Sequence, residues 1–133
     1  MLTYRDGPPV DPAQLGALFT AVGFSRSTDP AHLVAIVEGA RWVVSAWEGD
    51  TLVGFARAIS DGVSNAYVST VAVHPDHQRR GIGRALLARL LEGRGHVKFL
   101  VHTSPAGQAL YRGLGFVDAT DMLVRPRRDR ERG

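Results

Sequence analysis

One stretch limits what this chain can fold into: residues 71–91, VAVHPDHQRRGIGRALLARLL. The apolar run Val71, Ala72, Val73 reads as the end of a β-strand. It gives way to His74-Pro75-Asp76-His77, two arginines, and then Gly81-Ile82-Gly83 at the mouth of an Ala/Leu/Arg helix. Glycine weakens a helix by roughly 0.5–1 kcal/mol relative to alanine, so its presence here must serve another end. A helix start offers backbone N–H groups with no intrahelical acceptor, at the positive end of the helix dipole. That is a ready anion site. Glycines 81 and 83 remove Cβ atoms, so phosphate oxygens can close on the main chain. Gln78, Arg79, Arg80, Ile82 and Arg84 complete the turn, and a diphosphate matches its size and charge. The dinucleotide fingerprint is excluded, because its third glycine falls at Leu86 and residues 74–80 separate strand from first glycine. No Gly-Lys-Ser/Thr follows, which excludes a P-loop.

The rest of the chain supplies the frame. Residues 2–7 read as a short strand ended by Gly7 and two prolines. Asp11 and Pro12 open a helix that Gly23 stops, with Leu15, Leu18, Phe19 and Val22 on one stripe. Asp29, Pro30, Leu33, Ile36, Val37 and Gly39 repeat the pattern. Residues 41–49 and 51–60 read as strands joined by a Gly49-Asp50 hairpin, and 65–74 as the next strand. A helix over 81–93, a strand over 96–102, a short helix over 104–115 capped by Ser104, and a last strand or strand pair over 116–125 follow. The order is β-α-α-β-β-β-α-β-α-β. Hairpin-linked strands make most of the sheet antiparallel, while the crossover at 66–101 makes one parallel or splayed pair. The fold class is therefore a mixed α/β layer. Trp42 and Trp47 lie five apart on one strand and face opposite sides, one for the core and one for a dimer face or acceptor pocket.

Composition narrows the chemistry. The chain has 133 residues and no cysteine, which reads as one domain, residues 1–125, without disulfides or a Cys nucleophile. The net charge of +3 is carried by 125–133, RPRRDRERG, so the folded part is neutral and 126–133 reads as a disordered tail. A nucleic-acid partner is thus not favoured, although the tail could contact phosphates. No secretory h-region or membrane-length apolar run is present, which reads as a cytoplasmic chain with no membrane partner. His74 and His77 lack metal-ligand support elsewhere, so no metal is expected.

The stretch 71–91 resembles the acyl-CoA signature of the GCN5-related N-acetyltransferases, Arg/Gln-x-x-Gly-x-Gly/Ala after an apolar strand. Gln78, Gly81 and Gly83 occupy its three defined positions. A second hallmark of that family, Leu-Tyr-x-x-x-Gly-Phe, is matched at residues 110–116. The element order is also similar, so the likeness spans residues 2–125. It implies the acyl-CoA N-acyltransferase fold, with acetyl-CoA as acetyl donor and a small-molecule or protein amine as acceptor. It implies that the fourth strand splays from the fifth at a bulge. Val71, Ala72 and Val73 would pair with the pantetheine arm there, as in β-augmentation, and residues 79–84 would hold the pyrophosphate. Tyr111 would protonate the departing thiolate; by position alone it reads as a helix aromatic packing on the sheet. Pairing of last strands into a homodimer is a further expectation.

Ser104 stands where the family often has Asn at the pantetheine contact, and Gly107 where it often has Ala. Residues 57–66 resemble the ARA.SD...NA run of the serotonin N-acetyltransferase branch, with Thr70 where that branch often has Asp. The general base stays open among Asp61, Tyr67, Ser69, Thr70, His102 and a water chain to solvent. The acceptor also stays open, its variable loops being 24–30 and 118–122. A nucleic-acid-associated protein and a CoA-binding regulator without turnover are the competing readings.

Overall fold

Hairpin chemistry and one long crossover build the frame. In the computed structural model, which describes residues 1–24 and 28–129, the chain runs through β1 (Leu2–Asp6), α1 (Pro12–Ala21), α2 (Pro30–Glu38), β2 (Trp42–Glu48), β3 (Thr51–Ser60), β4 (Asn65–Val73), a 3-10 turn at Pro75–His77, α3 (Ile82–Leu91) and β5 (Lys98–Val101). These elements make one compact unit, Met1–His102. A second unit begins at Thr103, with a 3-10 turn at Pro105–Gly107 and α4 (Gln108–Arg112).

The five strands lie in chain order. The first three junctions are antiparallel and β4–β5 is parallel. Gly49, at φ +60, makes the tight β2–β3 turn. A parallel pair needs a long connection, and α3 supplies it. Two bulges interrupt the ladders. Val53 is the extra residue of β3 opposite the Ala46/Trp47 step. Ser69 is the extra residue of β4 opposite the Arg57/Ala58 step. Each bends its strand and raises the local twist.

Strand alternation sorts the side chains. One face carries Val43, Phe55 and Ala72, which pack with Trp47 and Leu52 against Leu15, Leu18, Phe19, Leu33 and Val37 of α1 and α2. The other face receives Ile82, Leu86, Leu87 and Leu90 of α3, all fully buried. Each such side chain contributes about 1.5–3 kcal/mol on burial. The tryptophans face opposite sides as the spacing predicts. Trp47 joins the core, its indole N–H donating to Ser45 at 2.8 Å. Trp42 packs on Phe99 under the Arg94 guanidinium, and Arg94 also donates to the carbonyls of Arg89 and Leu90 at the end of α3.

Several local expectations change. No strand forms over 116–125: that segment is irregular, with Val117, Leu123 and Val124 exposed. Asp118 and Asp121 interrupt its apolar pattern, and both favour turns over a ladder. Asp11 occupies the cap position of α1 but makes no side-chain cap bond. Ser104 likewise precedes its 3-10 turn without one. The helix over 104–115 contracts to that turn and α4. Within this unit Gly107 has a steric cause, since a Cβ there would sit 2.4 Å from Thr103 Oγ1. Residues 126–129 are exposed. Residues 130–133 of the tail, and 25–27 of the expected acceptor loop, lie outside the described residues. Among the described residues no helix is long and apolar enough to cross a membrane.

Candidate functional site

The β4–β5 ladder stops early. Asn65, Ala66, Tyr67 and Val68 pair with Lys98, Phe99, Leu100 and Val101. The bulge at Ser69 follows at once, and β4 continues to Val73 with no β5 partner. The remaining edge has a definite polarity. The His74 N–H donates to Val53 O at 2.8 Å, so hydrogen-bonded pairs with β3 fall at residues 74 and 72 of the same register. Residues 71 and 73 are the intervening pairs. Their N–H and C=O groups therefore point away from β3, into the gap that β5 leaves. Of the three sequence candidates, Val71 and Val73 offer main-chain groups to a ligand. Ala72 bonds to β3 and buries its methyl in the core. Val73 O accepts from the Gln78 side chain at 3.3 Å, which ties this edge to the glycine turn.

The turn is built by departures from ordinary helix geometry. Gly81 is left-handed, at φ +79, and Arg79 is a non-glycine residue at φ +66. The first backbone bond of α3 runs from Ala85 N–H to Gly81 O. The N–H groups of Ile82, Gly83 and Arg84 precede it and have no intrahelical acceptor. A Cβ on Gly81 would meet nothing within 4 Å, so the space beside that residue is open. Ile82 contributes only its main chain, because its side chain anchors the helix in the core. That anchoring requires Gly54 on β3: a Cβ there would lie 2.9 Å from Ile82 Cγ2 and 3.1 Å from Leu86 Cδ1. Arg79 and Arg84 are exposed. Arg80 is already engaged, donating to Glu48 Oε1 at 3.2 Å and lying 2.9 Å from His77 Nδ1. Glu48 is held below the usual carboxylate range by the terminal ammonium first and by Arg80 second. His74 Nδ1 accepts from Asp76 N–H at 3.1 Å, which caps the 3-10 turn. The two histidines of this loop thus have structural partners, and among the described residues no group of His, Asp or Glu is placed to hold a metal.

The open base candidates separate. The Asp61 carboxylate accepts from the Ser64 hydroxyl and from the N–H groups of Ser64 and Val63. Those bonds, the hydroxyl first, hold it well below the ordinary range, which makes it a turn anchor and a poor base. Thr70 Oγ1 accepts from Arg57 Nε at 2.9 Å. Tyr67 and His102 are exposed, and Ser69 is half-buried at the bulge. In the second unit Tyr111 is buried, its ring edge-on to Phe116 at 5.3 Å. Burial raises its phenol above the ordinary value, so it is protonated at neutral pH. Ser104 is exposed.

A cavity of about 270 Å³ opens by Asp6, Arg41, Trp42, Arg89, Glu92 and Arg94. It lies at the C-terminal end of α3, on the order of 15 Å along the helix from the glycine turn. Its cations are partly committed, Arg89 to Asp6 and Arg94 to helix carbonyls.

The model of the acetyltransferase (GNAT) domain matches residues 38–118. That span includes the strand, the gap, the glycine turn and Tyr111. The chain is 36% identical over 113 residues to GCN5-related N-acetyltransferase 1, chloroplastic, of Arabidopsis thaliana, covering 81% of this chain and 57% of the relative. It is 34% identical over 129 residues to serotonin N-acetyltransferase 2, chloroplastic, of Oryza sativa subsp. japonica, covering 90% and 62%. The chain thus spans about three-fifths of the length of these relatives. Among solved structures, a GNAT-family acetyltransferase, SP0256 of Streptococcus pneumoniae TIGR4, superposes with a TM-score of 0.77 at 27% identity, covering 96% of this chain and 99% of that one. With the family model matching more than half of its length, the chain belongs to the GCN5-related N-acetyltransferase family.

Proposed function

We propose that this chain moves the acetyl group of acetyl-CoA to a primary amine by direct attack in a ternary complex. The observation that carries the reading is the continuity of main-chain groups from Val71 and Val73 to the turn at 79–84. An amide-rich, diphosphate-bearing donor matches that track along its length. The glycine turn and Arg79 and Arg84 take the diphosphate, and the β4 edge takes the arm as an added strand. Acetyl-CoA supplies an activated acyl group on sulfur.

The chain's own groups then do the following. The β4 edge past Ser69 aligns the thioester carbonyl, and its outward N–H groups stabilise negative charge developing on that oxygen. The acceptor nitrogen, having lost a proton, bonds to the carbonyl carbon, and the carbon–sulfur bond breaks. Tyr111 gives its phenolic proton to the leaving sulfur. With Asp61 engaged in its turn, the first amine proton leaves before attack to Tyr67, His102 or solvent water, and the second, shed as the amide forms, restores the Tyr111 phenol through solvent. Ser104 is the remaining candidate for an arm contact, through one hydroxyl. The resemblance adds a homodimer to this reading.

The test is calorimetric titration of acetyl-CoA into wild type and Gly83→Trp, with thiol release followed across an amine panel. The expected result is micromolar binding by wild type and none by the variant. Equal binding by both proteins overturns the turn assignment. Binding without thiol release for any amine favours a CoA-responsive regulator over an enzyme.

A further inference from the structure

Arg57 is a cation in an unusual position. It stands on β3 opposite Thr70, one step from the bulge at which β4 parts from β5. The side chain is half-buried, and burial lowers its pKa, with Tyr67 the opposing influence. Among the described residues its one protein hydrogen bond uses Nε, donated to Thr70 Oγ1 at 2.9 Å. A guanidinium has five N–H donors, so four remain on the two Nη atoms. Among the described residues no carboxylate lies within ion-pair reach: Arg80, Arg89 and Arg112 are the arginines with acidic partners. A cation that loses water without gaining an anion is costly to the fold.

The surroundings give that cost a use. Alternation puts Arg57 on the same sheet face as Phe55, and Phe55 is where the core under α1 and α2 ends. Next along this face come the cross-strand pair Ile59 and Tyr67, 45% and 40% exposed. The result is a shelf beside the start of the open edge: an aromatic ring, an aliphatic side chain, two hydroxyls and a guanidinium whose forked end has no protein partner among the described residues. A planar, bidentate anion completes it, and a carboxylate has that geometry.

We propose that the acceptor is a primary amine that also carries a carboxylate, bound through Arg57, with its apolar or aromatic part on Ile59 and Tyr67. The inference rests on the acetyl-transfer reading and names the acceptor class for that site. Arg57 and Thr70 act together: the Thr70 bond holds Nε and leaves both Nη atoms for the anion.

The experiment compares matched acceptors on the full chain with acetyl-CoA: tyrosine with tyramine, phenylalanine with phenethylamine, tryptophan with tryptamine, lysine with cadaverine. Thiol release gives kcat/KM for each. Acetyl-CoA binding is measured in parallel by calorimetry for wild type and Arg57→Gln. Wild type is expected to favour the carboxylated member of at least one pair on the order of ten- to a hundredfold, the range of a charge-assisted hydrogen bond. Arg57→Gln is expected to bring that ratio to about unity while acetyl-CoA affinity stays within about twofold. The proposal is overturned by equal rates within every pair, by preference for the decarboxylated member, or by a preference that survives in Arg57→Gln. If the variant fails to fold, the wild-type ratios decide alone. If no acceptor reacts while acetyl-CoA still binds, the acceptor class is wrong and the donor site stands. If acetyl-CoA does not bind to wild type, the acetyl-transfer reading itself fails.

Discussion

Replacing Gly54 by alanine tests whether the packing of α3 on the sheet also sets the donor site. An ideal Cβ at this position lies 2.9 Å from Ile82 Cγ2, 3.1 Å from Leu86 Cδ1 and 3.2 Å from Ala46 Cβ. Carbon atoms in comfortable contact sit about 3.5–4.0 Å apart, so all three approaches are too short by about 0.3–1 Å. None is easily relieved. Ile82 is β-branched and stiff at χ1, Ala46 has no rotamer to change, and Ile82, Leu86 and Ala46 are all fully buried. The clash therefore passes to the backbone, and α3 must back away from β3 at its N-terminal turn. Overpacking of this kind costs about 1–3 kcal/mol, partly offset by the roughly 0.5–1 kcal/mol that alanine gains over glycine in a strand. A net loss of about 1–2 kcal/mol lowers Tm by on the order of 5 °C for a domain of this size. The same shift moves the amides of Ile82, Gly83 and Arg84 relative to the β4 edge, so acetyl-CoA affinity should fall about tenfold in calorimetry. Gly81→Ala is the control for clash, because a Cβ there meets nothing; its cost is the left-handed φ alone, about 1 kcal/mol. Unchanged Tm and unchanged acetyl-CoA affinity in Gly54→Ala would refute the idea that this close approach positions the turn.

Other outcomes follow from single side chains. Tyr111→Phe should lower kcat about a hundredfold in the thiol-release assay while leaving acetyl-CoA affinity within about twofold; equal rates would remove Tyr111 as the acid. Because burial raises the Tyr111 phenol, wild-type kcat should hold level through pH 10, the ordinary phenol value, and fall above it; a rate that already falls below that value would contradict a buried phenol as proton donor. Asp61 is held below its unfolded value, so it contributes stability above about pH 4 that is lost as pH falls through the depressed folded value. Thermal melts of wild type and Asp61→Asn should therefore differ at neutral pH and converge toward low pH. In the second unit, Gly107→Ala should destabilise by about 1–3 kcal/mol through the Thr103 hydroxyl, and Thr103→Ala in the same chain should restore most of the loss in a denaturation cycle.

What could be read from the sequence follows from which forces are local. The helices α1 and α2 fall where Asp-Pro starts and apolar stripes place them, and β3 runs from Thr51 to Ser60, the span read for it after the Gly49-Asp50 turn. The glycine turn was legible because helix starts and glycines carry their chemistry in a few adjacent residues. The Ser69 bulge was not legible from alternation, and the family likeness implied a bulge without placing it: Ser69-Thr70 puts two polar residues side by side, which a strand edge tolerates with or without an extra residue. Gly54 did leave a signal, a glycine inside a strand, which marks a close approach. Glu48 left none, since its hold on Arg80 spans 32 positions. The last strand was expected from Phe116, Val117, Leu123 and Val124, but apolar residues do not make a strand unless an edge accepts them, and Asp118 and Asp121 break the run.

The two bulges divide the labour of the sheet, which explains why the site sits where it does. A continuous β4 would have to pair with β5 along its length or leave a long open edge, and a flat open edge invites association with other chains. Ser69 ends the pairing at one residue and turns the free edge, so that only Val71 and Val73 present main-chain groups and the glycine turn closes the far end through Gln78 and Val73. The edge is thereby short and bounded on both sides. Recognition along it is made by backbone groups, so the side chains of residues 71 and 73 are free to serve the packing of the α3 face. The acceptor proposed above would be told apart elsewhere, on the opposite face, where the same bulge adjoins Arg57 and Thr70. On the proposed reading, one inserted residue separates a side-chain-blind donor track from a side-chain-rich acceptor shelf.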